Sequence, residues 1–225
     1  MKAPLLILSI PALVSAGDPS TSWLSYAVYE AGSIITQMNA TVVVPSNPAA
    51  TGADPSFWYG LQTAKGTGAL VQPILAWGQT ERDEFGIFHE VYDWNNGRDY
   101  RSPESYIVPA GDVLYQSVTY RAENNSYDMF ISSNATGKSI LWNYALQESQ
   151  TVAETTAFIV VEHQPRSCDM FPSDGGIVFS DIYIEVDYEA VENPSWKTIQ
   201  ERPACDSEAQ VVDPSTIKLT WDPTA

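Results

Sequence analysis

Turn signals recur roughly every 8–15 residues along this 225-residue chain, with short runs of Val, Ile, Thr, Tyr and Phe between them. Few stretches carry the 3.6-residue apolar period of an amphipathic helix, and the runs are strand-like in length and composition. Thr41–Val44 stops at Pro45, and Ser105–Val108 ends in Pro109-Ala110-Gly111-Asp112. Val113 to Arg121 then resumes with alternation, and Tyr127–Ser132 runs into Asn134-Ala135-Thr136-Gly137. Ala157–Val161 and Gly176–Val186 are the last clear strands. In the latter, Ile182, Ile184 and Val186 alternate with Tyr183, Glu185 and Asp187, as a half-buried antiparallel strand requires. Closely spaced strands without intervening helices predict an all-β antiparallel sandwich or barrel rather than a parallel sheet.

The chain is long enough to bury a sizeable core, and neither a repeat nor a linker divides it. Ser46–Pro55 is turn-rich but only one loop long, and beyond Tyr188 the sequence becomes irregular and acidic, with Pro194, Pro203 and Pro214. The expected organisation is a β domain over 17–190 and an extension, 191–225, belonging to the same domain. Residues 1–16 read as a secretory signal: Lys2 precedes an apolar stretch that ends in Val14-Ser15-Ala16, too short to anchor in a bilayer. Export favours a disulfide between Cys168 and Cys205, the only cysteines, pinning the extension. Three N-x-S/T sequons, at Asn39, Asn124 and Asn134, are expected at the surface. The predicted location is extracellular, away from membranes, and the predicted state is a monomer.

Charge narrows the partners. Eleven Lys and Arg stand against 28 Asp and Glu, a net charge of −17, which repels nucleic acid and other polyanions. Two histidines and two cysteines cannot build a three-histidine or all-cysteine zinc site, and no metal or cofactor is expected.

Three strand-like segments carry polar groups in apolar settings. Gln72 interrupts the run Ala69–Trp77, and a buried amide must find partners. Strand alternation puts Phe88, Glu90 and Tyr92 on one face. Glu162 closes the apolar run Ala157–Val161. Each also has a plain structural reading, Gln72 as a satisfied core amide and Glu162 as the point where a strand leaves the core.

The order of these segments resembles the eqolisins, the fungal glutamic peptidases. Ala40-Thr41-Val42-Val43-Val44-Pro45-Ser46 looks like the family's A-T-x-x-V-P-S strand, and Trp58-Tyr59-Gly60-Leu61 like its W-V-G-I. Leu70-Val71-Gln72 looks like I-L-Q, Phe88-His89-Glu90 like W-Y-E, and Ala157–Glu162 like A-E-F-I-I-E. The motifs are short, but they are collinear from Trp23 to Ile184. The resemblance implies a concanavalin A-like β-sandwich of jelly-roll type and an acid endopeptidase acting on polypeptides without a cofactor. It implies Glu162 as general base and then general acid, and Gln72 as the group that orients water and holds the oxyanion. Trp58, Phe88, Glu90, Gln62 and Tyr92 would shape the cleft and support that pair.

The chain departs from the pattern at several positions. Pro73 follows the glutamine where the family has Thr-Gly, Gln62 and Ala76 replace aspartates, and Phe88 replaces a tryptophan. Only Gly17–Ser22 separate the signal from the matching region, too short for the usual basic propeptide. Two other readings stay open. One is a polysaccharide lyase or glycosidase, using Glu90 with Glu162, or Gln72, His89 and Arg82. The other is a lectin-like binder stacking sugars on some of its seven tryptophans and twelve tyrosines. The side chains on the concave face discriminate: Gln72 beside Glu162 for the peptidase, His89 with Arg and Tyr for a lyase.

Overall fold

The computed structural model describes residues 22–50, 52, 54–63, 68–78, 83–147, 150, 153–163 and 167–225. The signal segment and Arg82 lie outside them. Two antiparallel sheets face each other, and no α-helix occurs among the described residues. The first sheet runs β14 (Lys197–Gln200), β1 (Trp23–Glu30), β11 (Thr156–Glu162), β3 (Ser56–Gln62), β4 (Ala69–Trp77), β5 (Phe85–Asp93) and β6 (Arg98–Arg101). The short β7 (Tyr106–Val108) also pairs with β5. The second runs β10 (Ser139–Ala145), β9 (Ser126–Ser133), β8 (Val113–Arg121), β2 (Ile35–Val43), β12 (Gly176–Val186), β16 (Thr216–Thr220) and β15 (Glu208–Asp213). There β13 (Glu189–Ala190) joins β12. This is the expected β-sandwich.

Alternation fills the core between the sheets. Phe57, Tyr59 and Leu61 from β3, Val71 and Leu75 from β4, and Ala157, Ile159 and Val161 from β11 point inward. They meet Met38, Val42, Leu114, Val118, Met129 and Ile131 of the opposing sheet. Fully burying side chains of this size stabilises by about 1.5–3 kcal/mol each. Two strands keep their apolar residues inward only by inserting an extra one. In β12 the register shifts between Ser180 and Tyr183, where Asp181 has φ 51°, so Ile177 and Phe179 share the inner face with Ile182 and Ile184. In β1 a shift between Trp23 and Ser25 leaves Leu24 and Ala27 inside, and Trp23, Tyr26 and Val28 on the opposite face.

The stretch 191–225 is more regular than its sequence suggested. It supplies β14 to the first sheet and the β15–β16 hairpin to the second. Its inward Ile217, Leu219 and Trp221 complete the core. The expected Cys168–Cys205 disulfide is present, with Cα atoms 5.4 Å apart.

The outer face of the first sheet is also apolar. Trp58, Leu70, Ile74, Ala76, Phe88, Phe158 and Val160 form a second buried cluster there with Trp23, Tyr26 and Val28. Antiparallel sheets commonly turn a polar outer face to water, so a buried apolar one marks a working surface.

Candidate active site

Every residue expected in the cleft projects onto that outer face. The pairing register lays out rows across the strands: Phe158 of β11 lies opposite Gly60 of β3, and Gln72 of β4 opposite Glu90 of β5, which in turn pairs with Arg101 of β6. In the next row Val160 pairs with Trp58, Trp58 with Ile74, and Ile74 with Phe88. Glu162 follows at the end of β11. A cleft of about 490 Å³ is lined by Gln72, Glu162, Trp58, Glu90, Tyr92 and Arg101 among others. A neighbouring hollow of about 320 Å³ adds Phe88, Ser22, Ser56 and Asp54 around the same two glutamates.

Glu162 takes a hydrogen bond on each oxygen, from Ser22 Oγ at 2.5 Å and from Trp58 Nε1 at 2.9 Å. Trp58 is fully buried and held edge-on by Trp23, 5.0 Å between ring centroids. Gln72 donates through Nε2 to Glu90 Oε1 at 3.2 Å, while its buried Oε1 has no hydrogen-bond partner. Glu90 Oε2 accepts from Arg101 Nε at 2.7 Å, and the Arg101 guanidinium lies 5.0 Å over the Phe88 ring. Burial pushes the Glu90 carboxyl up to about 7, although Arg101 pulls the other way. In acid, therefore, Glu90 is a neutral group. Gln62, where the family has an aspartate, accepts from Trp94 Nε1 at 3.1 Å, and Trp94, which lines the cleft with Tyr92, meets that ring edge-on.

Pro73 leaves its mark on the ladder. The β3–β4 pairing holds at Trp58–Ile74 and resumes at Leu61–Val71 in the same register, with a gap opposite Gln72 and Pro73. A proline has no N–H to give there, yet Gln72 stays extended and cleft-facing.

Other expectations resolve differently. His89 points inward, fully buried, and its ring Nε2 meets the Ile140 carbonyl at 3.2 Å. Burial pushes it down to about 4. It contributes nothing to the cleft, which removes the histidine that a lyase reading would have used. Ser22, Trp23 and Arg101 line the cleft without having been singled out as site residues. Arg101 was legible in principle: Asn95-Asn96-Gly97 is a turn signal, and counting back across that hairpin sets Arg101 against Glu90.

Carboxyl and amide side chains gathered in one cleft on the outer face of a two-layer β-sandwich are consistent with a peptidase-like hydrolase. The profile of the peptidase A4 family matches residues 23–214, and the chain belongs to that family, the eqolisins. Among solved structures, scytalido-glutamic peptidase with a transition-state analogue inhibitor superposes with a TM-score of 0.68 at 18% identity, over 89% of this chain and 98% of that one. SCP-B, an eqolisin in complex with the tripeptide Ala-Ile-His, gives 0.64 at 17% identity over 89% and 98%. Aspergilloglutamic peptidase from Aspergillus niger gives 0.57 at 18% identity over 75% and 99%. No curated protein matches the chain. The chain is thus a peptidase-like hydrolase.

Proposed function

We propose that this chain is a secreted endopeptidase that works in acid and cleaves polypeptides with Glu162 and Gln72. The observation that carries the reading is their presence in one cleft, Glu162 fixed by two donors and Gln72 with a buried, unpartnered acceptor. Glu162 takes a proton from water as the oxygen attacks the scissile carbonyl carbon. Gln72 Oε1 accepts the water's other hydrogen and so aims it. The Nε2 hydrogen not directed at Glu90 points to the developing oxyanion, and a single such donor is worth about 10²–10³ in rate. Glu162 then returns its proton to the leaving amine as the C–N bond breaks. Glu90, held by Arg101, fixes the amide so that its two ends cannot exchange roles.

The carbohydrate readings fit less well. His89, the imidazole a lyase would use, faces the core and hydrogen-bonds the Ile140 carbonyl there. Trp23 and Trp58 are 0–1% exposed and offer no open face for a sugar ring.

Glu162→Gln and Gln72→Ala should each abolish cleavage of denatured casein across pH 2–7 while leaving the thermal transition in place. Wild-type-like turnover in either variant overturns the assignment.

A further inference from the structure

The large apolar side chains that are exposed among the described residues all sit on the second sheet or the turn leaving it. On its outer face they cluster around Tyr115, 42% exposed, with Val43, Val113 and Leu141 nearby. Tyr115 and Phe130 lie 6.3 Å apart between ring centroids in a shallow groove of about 510 Å³, edged by Thr41, Ser132, Ser139 and Lys138. Its floor is the Tyr115–Phe130 ring pair and its walls are hydroxyl-bearing and small residues, a mixed surface of the kind a sugar can lie on.

Two asparagines of N-x-S/T sequons stand at this groove. Asn134, exposed in the β9–β10 turn, lines it. Asn39 is outward-facing in the middle of β2, opposite Ser117 and one step from the Thr41–Tyr115 pair, a diagonal separation of about 7–8 Å. On its other side it lies opposite Tyr183 of β12. The Asn39 side chain accepts a hydrogen bond from Gln37 through Oδ1, which orients the amide and leaves Nδ2, the atom that carries a glycan, outward. The third sequon asparagine, Asn124, lies beyond Arg121 at the opposite end of the β8–β9 hairpin. That is about 20 Å along the sheet from Tyr115.

We infer that Asn39 and Asn134 carry N-linked glycans whose first sugars cover the Tyr115–Phe130 groove. Attachment forms an Nδ2–C1 bond as the C1–oxygen bond to a lipid pyrophosphate breaks and the lipid pyrophosphate leaves, the amide giving up one proton. The pyranose C–H face then lies on the rings, and sugar hydroxyls meet Thr41, Ser132 and Ser139. This inference rests on the secretory reading of residues 1–16, but its test can be separated from it.

Residues 17–225 are fused to an independent secretory leader and expressed in a eukaryotic host. Intact mass and glycopeptide mapping are expected to find both asparagines occupied. The N39Q/N134Q double variant, and folded wild type stripped with a glycan-cleaving enzyme, should bind a hydrophobic dye several-fold more strongly and self-associate. Tyr115→Ser in the double variant should reverse the dye binding, and N124Q should leave it unchanged. The inference falls if either asparagine is unmodified, or if the stripped protein binds dye no better than the glycosylated one. The N-terminal residue of the native chain, expressed with its own leader, reports on the signal separately.

Discussion

Ser22 and Trp58 both hold Glu162, but with unequal rigidity. The indole is locked by Trp23 and the rest of the aromatic cluster. The hydroxyl belongs to the residue just before β1, where the chain enters the sheet and His163 N–H closes onto the Ser22 carbonyl. In the proposed mechanism Ser22 is a positioning residue, fixing the second oxygen so that Glu162 presents one defined lone pair to water. A hydrogen bond to a charged group is worth about 1.5–3 kcal/mol. Ser22→Ala is expected to lower kcat by about 10–100-fold with little change in KM, and Ser22→Thr to restore most of it. Steady-state kinetics on a peptide substrate decides the matter, and an unchanged kcat in Ser22→Ala would overturn the positioning role.

At the scale of elements, the cleft depends on how closely β3 and β4 approach under the Trp58 ring. A Cβ at Gly60 would stand 3.0 Å from Leu70 Cδ1, 3.1 Å from the Trp58 ring and 3.1 Å from the Val71 carbonyl oxygen. The carbonyl is backbone and cannot step aside, so the added methyl must displace the indole or the strand. Gly60→Ala is expected to cost about 1–3 kcal/mol, as overpacked sites do. It should also depress kcat beyond that by moving Trp58 Nε1 from Glu162. Thermal melts and kinetics measured together test this, and a variant unchanged in both would show slack between the strands. Strand alternation put Phe88, Glu90 and Tyr92 on one face, while Gln72 and Glu162 stood out only as polar groups in apolar runs and Trp58 only through the resemblance. Trp23 was not placed, because the register shift before Ser25 breaks the period that would have located it. The strands of 191–225 were missed for a related reason. Lys197–Gln200 and Glu208–Asp213 are mostly exposed and polar, so they carry no apolar rhythm, and their neighbours alone define them. The role proposed for Gln72 came from collinear short motifs rather than from any periodicity.

For the molecule as a whole, the buried ionisable groups set how stability follows pH. Glu90, raised by burial to about 7, favours the folded state in acid, and that contribution is lost as pH rises from about 4.5 through 7. His89, lowered by burial to about 4, acts with the opposite sign: its contribution is present above about 6.5 and lost as pH falls toward 4. Each is worth roughly 3 kcal/mol, and over the shared window they offset one another. Burial also lowers His163, which strengthens the loss on the acid side. Above about pH 8 both imidazoles are neutral whether the chain is folded or not, and Glu90 has largely finished titrating. What remains is Glu154, fully buried, with neither carboxyl oxygen hydrogen-bonded. Burial pushes it well above the carboxylate range, and the nearby Ala69 N–H opposes this without reversing it. Because its folded form holds the proton more tightly than the unfolded chain, its contribution is complete in acid and drains away as pH rises. The expected result is a Tm that falls as pH rises into the alkaline range. Glu154→Gln, neutral at every pH, should flatten that slope while leaving the melt at pH 4 nearly unchanged. Calorimetry of the two proteins at several pH values makes the comparison, and parallel slopes would mean that Glu154 does not govern the alkaline limit.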